Sequence, residues 1–283
     1  MLANALTFDV EDWYMGIEIG IARWGEFERR LGVGLERALR LLDRAGARAT
    51  FFVLGRCAEL HPDLVRRIAE AGHEIGTHGF AHDKVYDLTP EAFEEDLTRS
   101  LALLRELTGQ PVRGYRAPYF SITARSTWAL PILARHGIAY DSSIYPGWNY
   151  RYGIEGSPER PYLVGESRMP EFPVSLGKLG GRLKFGLGGA YFRILPYEVT
   201  RHFIRRLNDA GQPAMFYSHP WELDPDQPRV AFPRRRAALT HYFRLHTTEP
   251  RFSRLLSDFR FTTAAEVLEG LGLLRAGVDQ PAS

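Results

Sequence analysis

Residues 49–78 read ATFFVLGRCAELHPDLVRRIAEAGHEIGTH. The first seven, 49–55, are mostly β-branched and aromatic and close on a glycine, which reads as a strand. Residues 61–72 read as a helix, with Pro62 at its start and Gly72 as its stop. Residues 73–78 read as a second strand. A strand, a helix and a strand in succession make a crossover unit, and repeated units of this kind imply a parallel sheet.

The alternation continues in both directions. Upstream, 4–10 (NALTFDV) reads as a strand, and 32–46 as a helix with Leu35, Leu39 and Leu42 on one stripe and Gly46 as the stop. Downstream comes a long amphipathic helix at 89–109, with Thr89 as N-cap and Pro90 as its first residue. A strand follows at 112–117, a helix at 123–137 that Pro131 is expected to kink, and a strand at 138–143. From 144 to 193 the chain is rich in Gly, Pro and aromatic residues, with short strands expected at 170–175 and 181–186. A helix at 196–211 and a strand at 213–219 resume the pattern, and the C-terminal third reads as mostly helical. About seven units predict an α/β fold, a closed or nearly closed barrel; an open doubly wound sheet is the alternative. No glycine-rich fingerprint follows the first strand, which argues against a dinucleotide site.

Composition narrows the function. Of 283 residues 45% are hydrophobic, enough for one large core or two modest ones. Lys and Arg number 36 against 34 Asp and Glu, and the densest basic run is PRRRAAL at 233–239, so nucleic acid is not an expected partner. Cys57 is the only cysteine, which excludes an internal disulfide. The N-terminus meets acidic residues by position 9 and does not read as a signal peptide. No apolar run approaches the ~18–20 residues that span a bilayer. A cytoplasmic protein is the expectation, with the inner membrane face as one place of action.

The polar residues gather at strand ends. The first strand ends in Asp9, Glu11 and Asp12, the third in His78, the fourth in Arg116, the fifth in Asp141 and the last in His219. In a barrel of this type catalytic groups sit at the C-terminal ends of the strands. His78 and His82 are four apart, a spacing that would put both rings on one face of a helical turn. Two histidines and a carboxylate make a catalytic site for zinc or a similar divalent ion. The spare carboxylate would serve as general base, Arg116 would hold it ionised, and His219 would be the general acid. That set describes metal-assisted hydrolysis of an amide or ester.

TFDVEDW (7–13), HGFAH (78–82), RAPYF (116–120), YDSSIYP (140–146) and FYSHPWELD (216–224) stand in the order and approximate spacing of the polysaccharide deacetylases, which the chain resembles from about residue 5 to 270. These are carbohydrate esterases with a deformed (β/α) barrel that remove N-acetyl groups from sugar polymers. Residues 188–197 and 239–268 resemble the branch found beside exosortase and exopolysaccharide gene clusters, in which an extra C-terminal segment follows the barrel. The resemblance implies a catalytic barrel at 1–222 with the irregular insertion 144–193, a helical extension at 223–275 packed on it, and a tail at 276–283. It implies Asp9 as base, His78 and His82 as metal ligands, Arg116 orienting the base, and His219 as acid. Asp141 would line the groove and support the acid, and the Tyr119 backbone N–H would help to hold the oxyanion. The commonest first motif has two adjacent aspartates, the second a metal ligand, but here Val10 stands in that place. Glu11 or Asp12 must substitute. Glu11 is two residues from Asp9 and shares its face of a strand, which favours it.

The implied activity is metal-dependent removal of N-acetyl groups from amino sugars of a bacterial exopolysaccharide or its precursor, with zinc as the expected metal. An N-acetylated oligo- or polysaccharide would be the substrate, and peripheral association with the synthesis machinery a further expectation. A metal-independent amidohydrolase and an inactive carbohydrate-binding protein are the alternatives. Tyr145, Trp148, Tyr191 and Trp221, with Tyr119, are candidate substrate contacts, because aromatic faces stack on sugar rings. Trp13 also lies near the motifs. His61, His136, His202, His241 and His246 have helix or helix-edge contexts that suggest surface or capping roles, and His73 reads as structural.

Overall fold

Strand β1 (Ala3–Val10) runs through the middle of the molecule and is buried along nearly its whole length. Its side chains alternate between two environments, as the pleat requires. Leu6, Phe8 and Val10 join the outer core beneath the helices, while Ala5 belongs to the core inside the sheet's curve. Thr7 and Asp9 face the interior too, where both meet Arg116. The computed structural model describes residues 2–17, 19–147, 152–180, 183–230 and 235–275.

After β1 come α1 (Leu31–Ala45), β2 (Thr50–Val53), α2 (Gly55–Leu60), α3 (Pro62–Glu70), β3 (Glu74–Thr77) and α4 (Pro90–Thr108). Then follow β4 (Gly114–Tyr115), α5 (Ala129–Arg135), β5 (Tyr140–Asp141), β6 (Tyr162–Val164) and β7 (Met169–Glu171). A hairpin of β8 (Leu176–Leu179) and β9 (Leu183–Gly186) leads to α6 (Gly189–Ile194), α7 (Tyr197–Asp209) and β10 (Met215–Ser218). The chain ends with α8 (Arg235–Tyr242), α9 (Thr248–Asp258), β11 (Arg260–Thr262) and α10 (Ala264–Gly270). The large sheet has the order β10-β1-β2-β3-β4-β5-β7-β6, with β11 beside the start of β1. Every pairing in it is parallel except β6 with β7. Across the open side, Ser175 N–H donates to Met215 O and Tyr217 N–H to Leu187 O. The result is a curled, deformed (β/α) barrel ringed by helices.

The expected elements recur with shifted bounds. Thr89 caps α4 through its hydroxyl, which accepts from Ala92 N–H, and Gly109 ends that helix at φ 64°. The expected helix at 123–137 is regular only from Ala129, so Pro131 falls in its first turn and does not kink it. The sixth strand lies at Met169–Glu171 rather than 170–175. Helix α2 and strand β11 were not read from the sequence; both are short and owe their form to neighbours. His241 is buried, not at the surface as its helix context suggested. It stacks on Trp221 and bonds to Gln227. A side chain at Gly34 would collide with the Pro220 carbonyl at 1.9 Å, so α1 can lie against the 219–223 segment only with glycine there. Among the described residues no helix is long and apolar enough to cross a membrane.

Candidate active site

Asp9 lies near the end of β1, and its Oδ1 takes a 2.7 Å bond from Arg116 Nη1. Arg116 is wholly buried, and its remaining donors meet Thr7 Oγ1, Ser142 O and Ser142 Oγ. Its guanidinium lies over the Phe52 ring at 4.3 Å. A planar cation bound on all sides cannot swing away, so the Asp9 carboxylate is fixed in direction.

Glu11 follows on the same side of the chain. His82 Nε2 is 2.7 Å from its Oε2, and His219 Nε2 is 3.4 Å from its Oε1. Burial pushes this carboxyl up, but His82, His219 and His78 outweigh burial and bring it to about 2. His78 Nδ1 is 2.8 Å from the Arg116 carbonyl, which only an N–H can satisfy, so Nε2 keeps its lone pair. Burial holds this ring neutral, down to about 4. His78 and His82 are not on a helical turn, as their spacing had suggested. They bracket a tight loop in which Gly79 has φ 72° and His82 φ 65°. Asp96 of α4 pins that loop by accepting from Phe80 N–H and Ala81 N–H. Glu11, His78 and His82 each offer one ligand atom, all within 4.8 Å of one another. Two imidazoles and one carboxylate suit zinc or a similar divalent ion.

Asp12 has another place. Its Oδ2 accepts from Arg30 N–H and Leu31 N–H at the start of α1, and its Oδ1 from Trp13 N–H. Burial raises this carboxyl to about 6.

His219 closes the opposite wall. Its Nε2 is 4.0 Å from Asp9 Oδ2, and its Nδ1 is 2.9 Å from Glu222 Oε1. Burial pulls the imidazole down, but the Glu222 bond and the charges of Glu11, Glu222 and Asp9 lift it to about 9. Glu222 is held in turn by Arg193 Nε at 2.8 Å. Arg193 is buried, and its Nη1 donates to the carbonyls of Thr240, His241 and Phe243. The Trp221 ring lies between His219 at 5.2 Å and His241 at 4.3 Å, nearly parallel to both.

Asp141 was expected to support the acid. Its carboxyl bonds to Ser143 Oγ and faces Glu171, and Glu222 holds His219 instead. Glu222, Arg193 and Asp96 were not singled out from the sequence. Glu222 was within reach, since a carboxylate three residues after His219 has capping-box spacing. Arg193 and Asp96 carry no local signal.

The aromatic candidates divide. Tyr119 has φ 56° and sets its ring 4.7 Å from that of His82. Tyr145 is half-buried against Phe120 and Tyr152. Tyr191 is exposed and packs on Phe185. Trp221 is buried behind His219, so its faces are taken. Trp148 lies outside the described residues.

Residues 5–140 match the family model Polysaccharide deacetylase, and residues 142–269 match a domain of unknown function, DUF3473. The chain is 34% identical over 112 residues to a peptidoglycan deacetylase of Helicobacter pylori, covering 40% of this chain and 37% of that one. It is 34% identical over 99 residues to a chitooligosaccharide deacetylase of Azorhizobium caulinodans, covering 35% of this chain and 46% of that one. The matches thus span less than half of these relatives. A Mycobacterium smegmatis protein assigned to the polysaccharide deacetylases has the same fold, with a TM-score of 0.67 at 23% identity over 99% of this chain and 94% of its own.

Proposed function

The chain carries a polysaccharide deacetylase family domain at residues 5–140, and on that premise we propose that it is a metal-dependent hydrolase of N-acetylated amino sugars. The observation that carries this reading is the cluster of Glu11, His78 and His82 beside the Asp9–Arg116 pair and His219. Glu11, His78 and His82 would hold the metal, which when bound polarises the amide carbonyl and makes water more acidic.

The chain's own groups supply the proton transfers. Asp9, fixed by Arg116, accepts a proton from the attacking water. In this reading the Tyr119 backbone N–H donates to the oxyanion of the tetrahedral intermediate, a contribution of roughly 3–4 kcal/mol for one such donor. His219, held by Glu222, gives its proton to the departing sugar nitrogen as the C–N bond breaks. Acetate and a free amino sugar leave.

The substrate we assign is an exopolysaccharide of bacterial type or its precursor, on the likeness of 188–197 and 239–268 to the branch found beside such gene clusters. Action at the inner membrane face, next to the synthesis machinery, belongs to the same proposal. The test is acetate release from N-acetylated glucosamine oligomers by the purified zinc-loaded protein, and its loss on chelation. Equal rates with and without chelator would remove the metal from the reading. No release from any N-acetylated oligomer would remove the deacetylase reading.

A further inference from the structure

Beneath the site lie two carboxyl groups that take no part in this chemistry. Asp141 and Glu171 stand directly opposite each other on β5 and β7, and both are wholly buried. Asp141 Oδ1 accepts from Ser143 Oγ, and Glu171 Oε1 accepts from Ile144 N–H at 3.0 Å. Their other oxygens, Asp141 Oδ2 and Glu171 Oε2, are buried and meet no donor among the described groups. Paired in register on adjacent strands, the two residues set their side chains next to each other on one face of the sheet. Two ionised carboxylates in contact in a dry interior repel strongly, and neither has a proton to offer. One proton between them turns that repulsion into a charge-assisted bond.

The pair is wired to the site. Ser143 Oγ, which donates to Asp141, also accepts from Ala117 N–H at 2.8 Å. Ala117 opens the turn Pro118–Phe120, in which Tyr119 and Phe120 both have left-handed backbone, at φ 56° and 51°. Two consecutive non-glycine residues in that region are held there only by their surroundings. Ser142, between the two halves of this network, accepts from Arg116. Residues 141–144 and Glu171 therefore form the floor on which both Arg116 and the Tyr119 turn rest.

We propose that Asp141 and Glu171 share one proton and that Glu171 is a positioning residue, which through Asp141, Ser143 and Ala117 aims the Tyr119 N–H at the reacting carbonyl. The positioning role rests on the deacetylase reading above; the shared proton does not. Burial and mutual repulsion raise Glu171 well above the ordinary range, and burial raises Asp141 to about 6, in keeping with a retained proton. The other titratable groups near the pair are Tyr115 and Tyr162, both pushed up by burial and neutral, and Arg116, already committed to Asp9.

The test has two arms. Infrared difference spectra of wild type against Glu171→Gln at neutral pH should show a protonated-carboxyl C=O band that is present only in wild type and shifts in D2O. Absence of that band overturns the shared proton. In the second arm, the glutamine can donate to Asp141 and accept from Ile144, so Glu171→Gln should keep kcat within about threefold. Glu171→Ala strands the Asp141 charge and should lower kcat about 10–100-fold, with KM within about twofold and metal content unchanged. Hydrogen exchange at the Ala117 and Tyr119 amides should quicken in the same variant. Unchanged kcat and exchange in a folded Glu171→Ala overturn the positioning role. If that variant does not fold, Asp141→Ala, which removes the link between Glu171 and Ser143, takes its place with the same exchange readout, and slowed or unchanged exchange counts against the proposal. A wild type that releases no acetate defeats the deacetylase reading instead, and the infrared and exchange arms still decide the pair.

Discussion

Glu11 and Asp12 are adjacent carboxylates with separate tasks. Glu11 joins the two histidines, while Asp12 binds the first N–H groups of α1. Glu11→Ala should therefore lose most bound metal by elemental analysis. Asp12→Ala should keep the metal and cost about 1 kcal/mol in urea unfolding, as loss of a helix cap does. Reversed metal contents would make Asp12 the ligand. Glu222 acts through His219. The His219 imidazole is raised in the folded chain to about 9, so in metal-free protein it contributes stability that is complete below about 6.5 and is lost as pH rises through about 9. The drop should be roughly 2 kcal/mol, read from urea unfolding at pH 6.5 and 9 with chelator present. In Glu222→Gln the slope should flatten, because the bond and the charge that raise His219 are weakened or gone. An unchanged slope would mean that Glu11 and Asp9 alone set the state of His219.

At the scale of elements, the site depends on loops pinned from outside. The 78–82 loop is held by Asp96, which reaches over from α4. Asp96→Ala frees two backbone N–H groups and lets His82 leave its left-handed conformation. Metal affinity should fall about 10–100-fold, the usual effect of removing a support for a ligand. Titration against a competing chelator measures it, and an unchanged affinity would show that the loop holds itself. The 219–223 segment is held in a different way, by the glycine contact at Gly34 and by Arg193 behind Glu222.

At the scale of the whole molecule, the two matched segments share one sheet. Residues 5–140 supply β2, β3, β4 and most of β1, and 142–269 supply β6, β7, β10 and β11. Strand β1 pairs with β10 and β11, and Phe8 stacks on Phe252 of α9. A fragment of residues 1–140 would leave that edge and that ring bare. It should show no cooperative thermal transition, whereas the full chain should unfold in one. A fragment that melts cooperatively would make the first segment an independent domain.

The sequence by itself was enough for the α/β alternation, the parallel sheet and the gathering of Asp9, Glu11, His78, Arg116 and His219 at one rim. Those follow from period-two and period-3.6 patterns and from strand ends, which are local properties. It also favoured Glu11 over Asp12, because alternation along a strand is local too. What it left open depends on residues far apart in the chain. Arg193 is 29 residues from Glu222, Asp96 is 15 or 16 from the N–H groups it binds, and Glu171 is 30 from Asp141. The same limit explains why His241 was assigned to the surface, whereas the role expected of Asp141 came from the resemblance and is taken here by Glu222. Which carboxylate meets which histidine is decided by how buried charges find partners once the sheet has closed, and no local pattern carries that information.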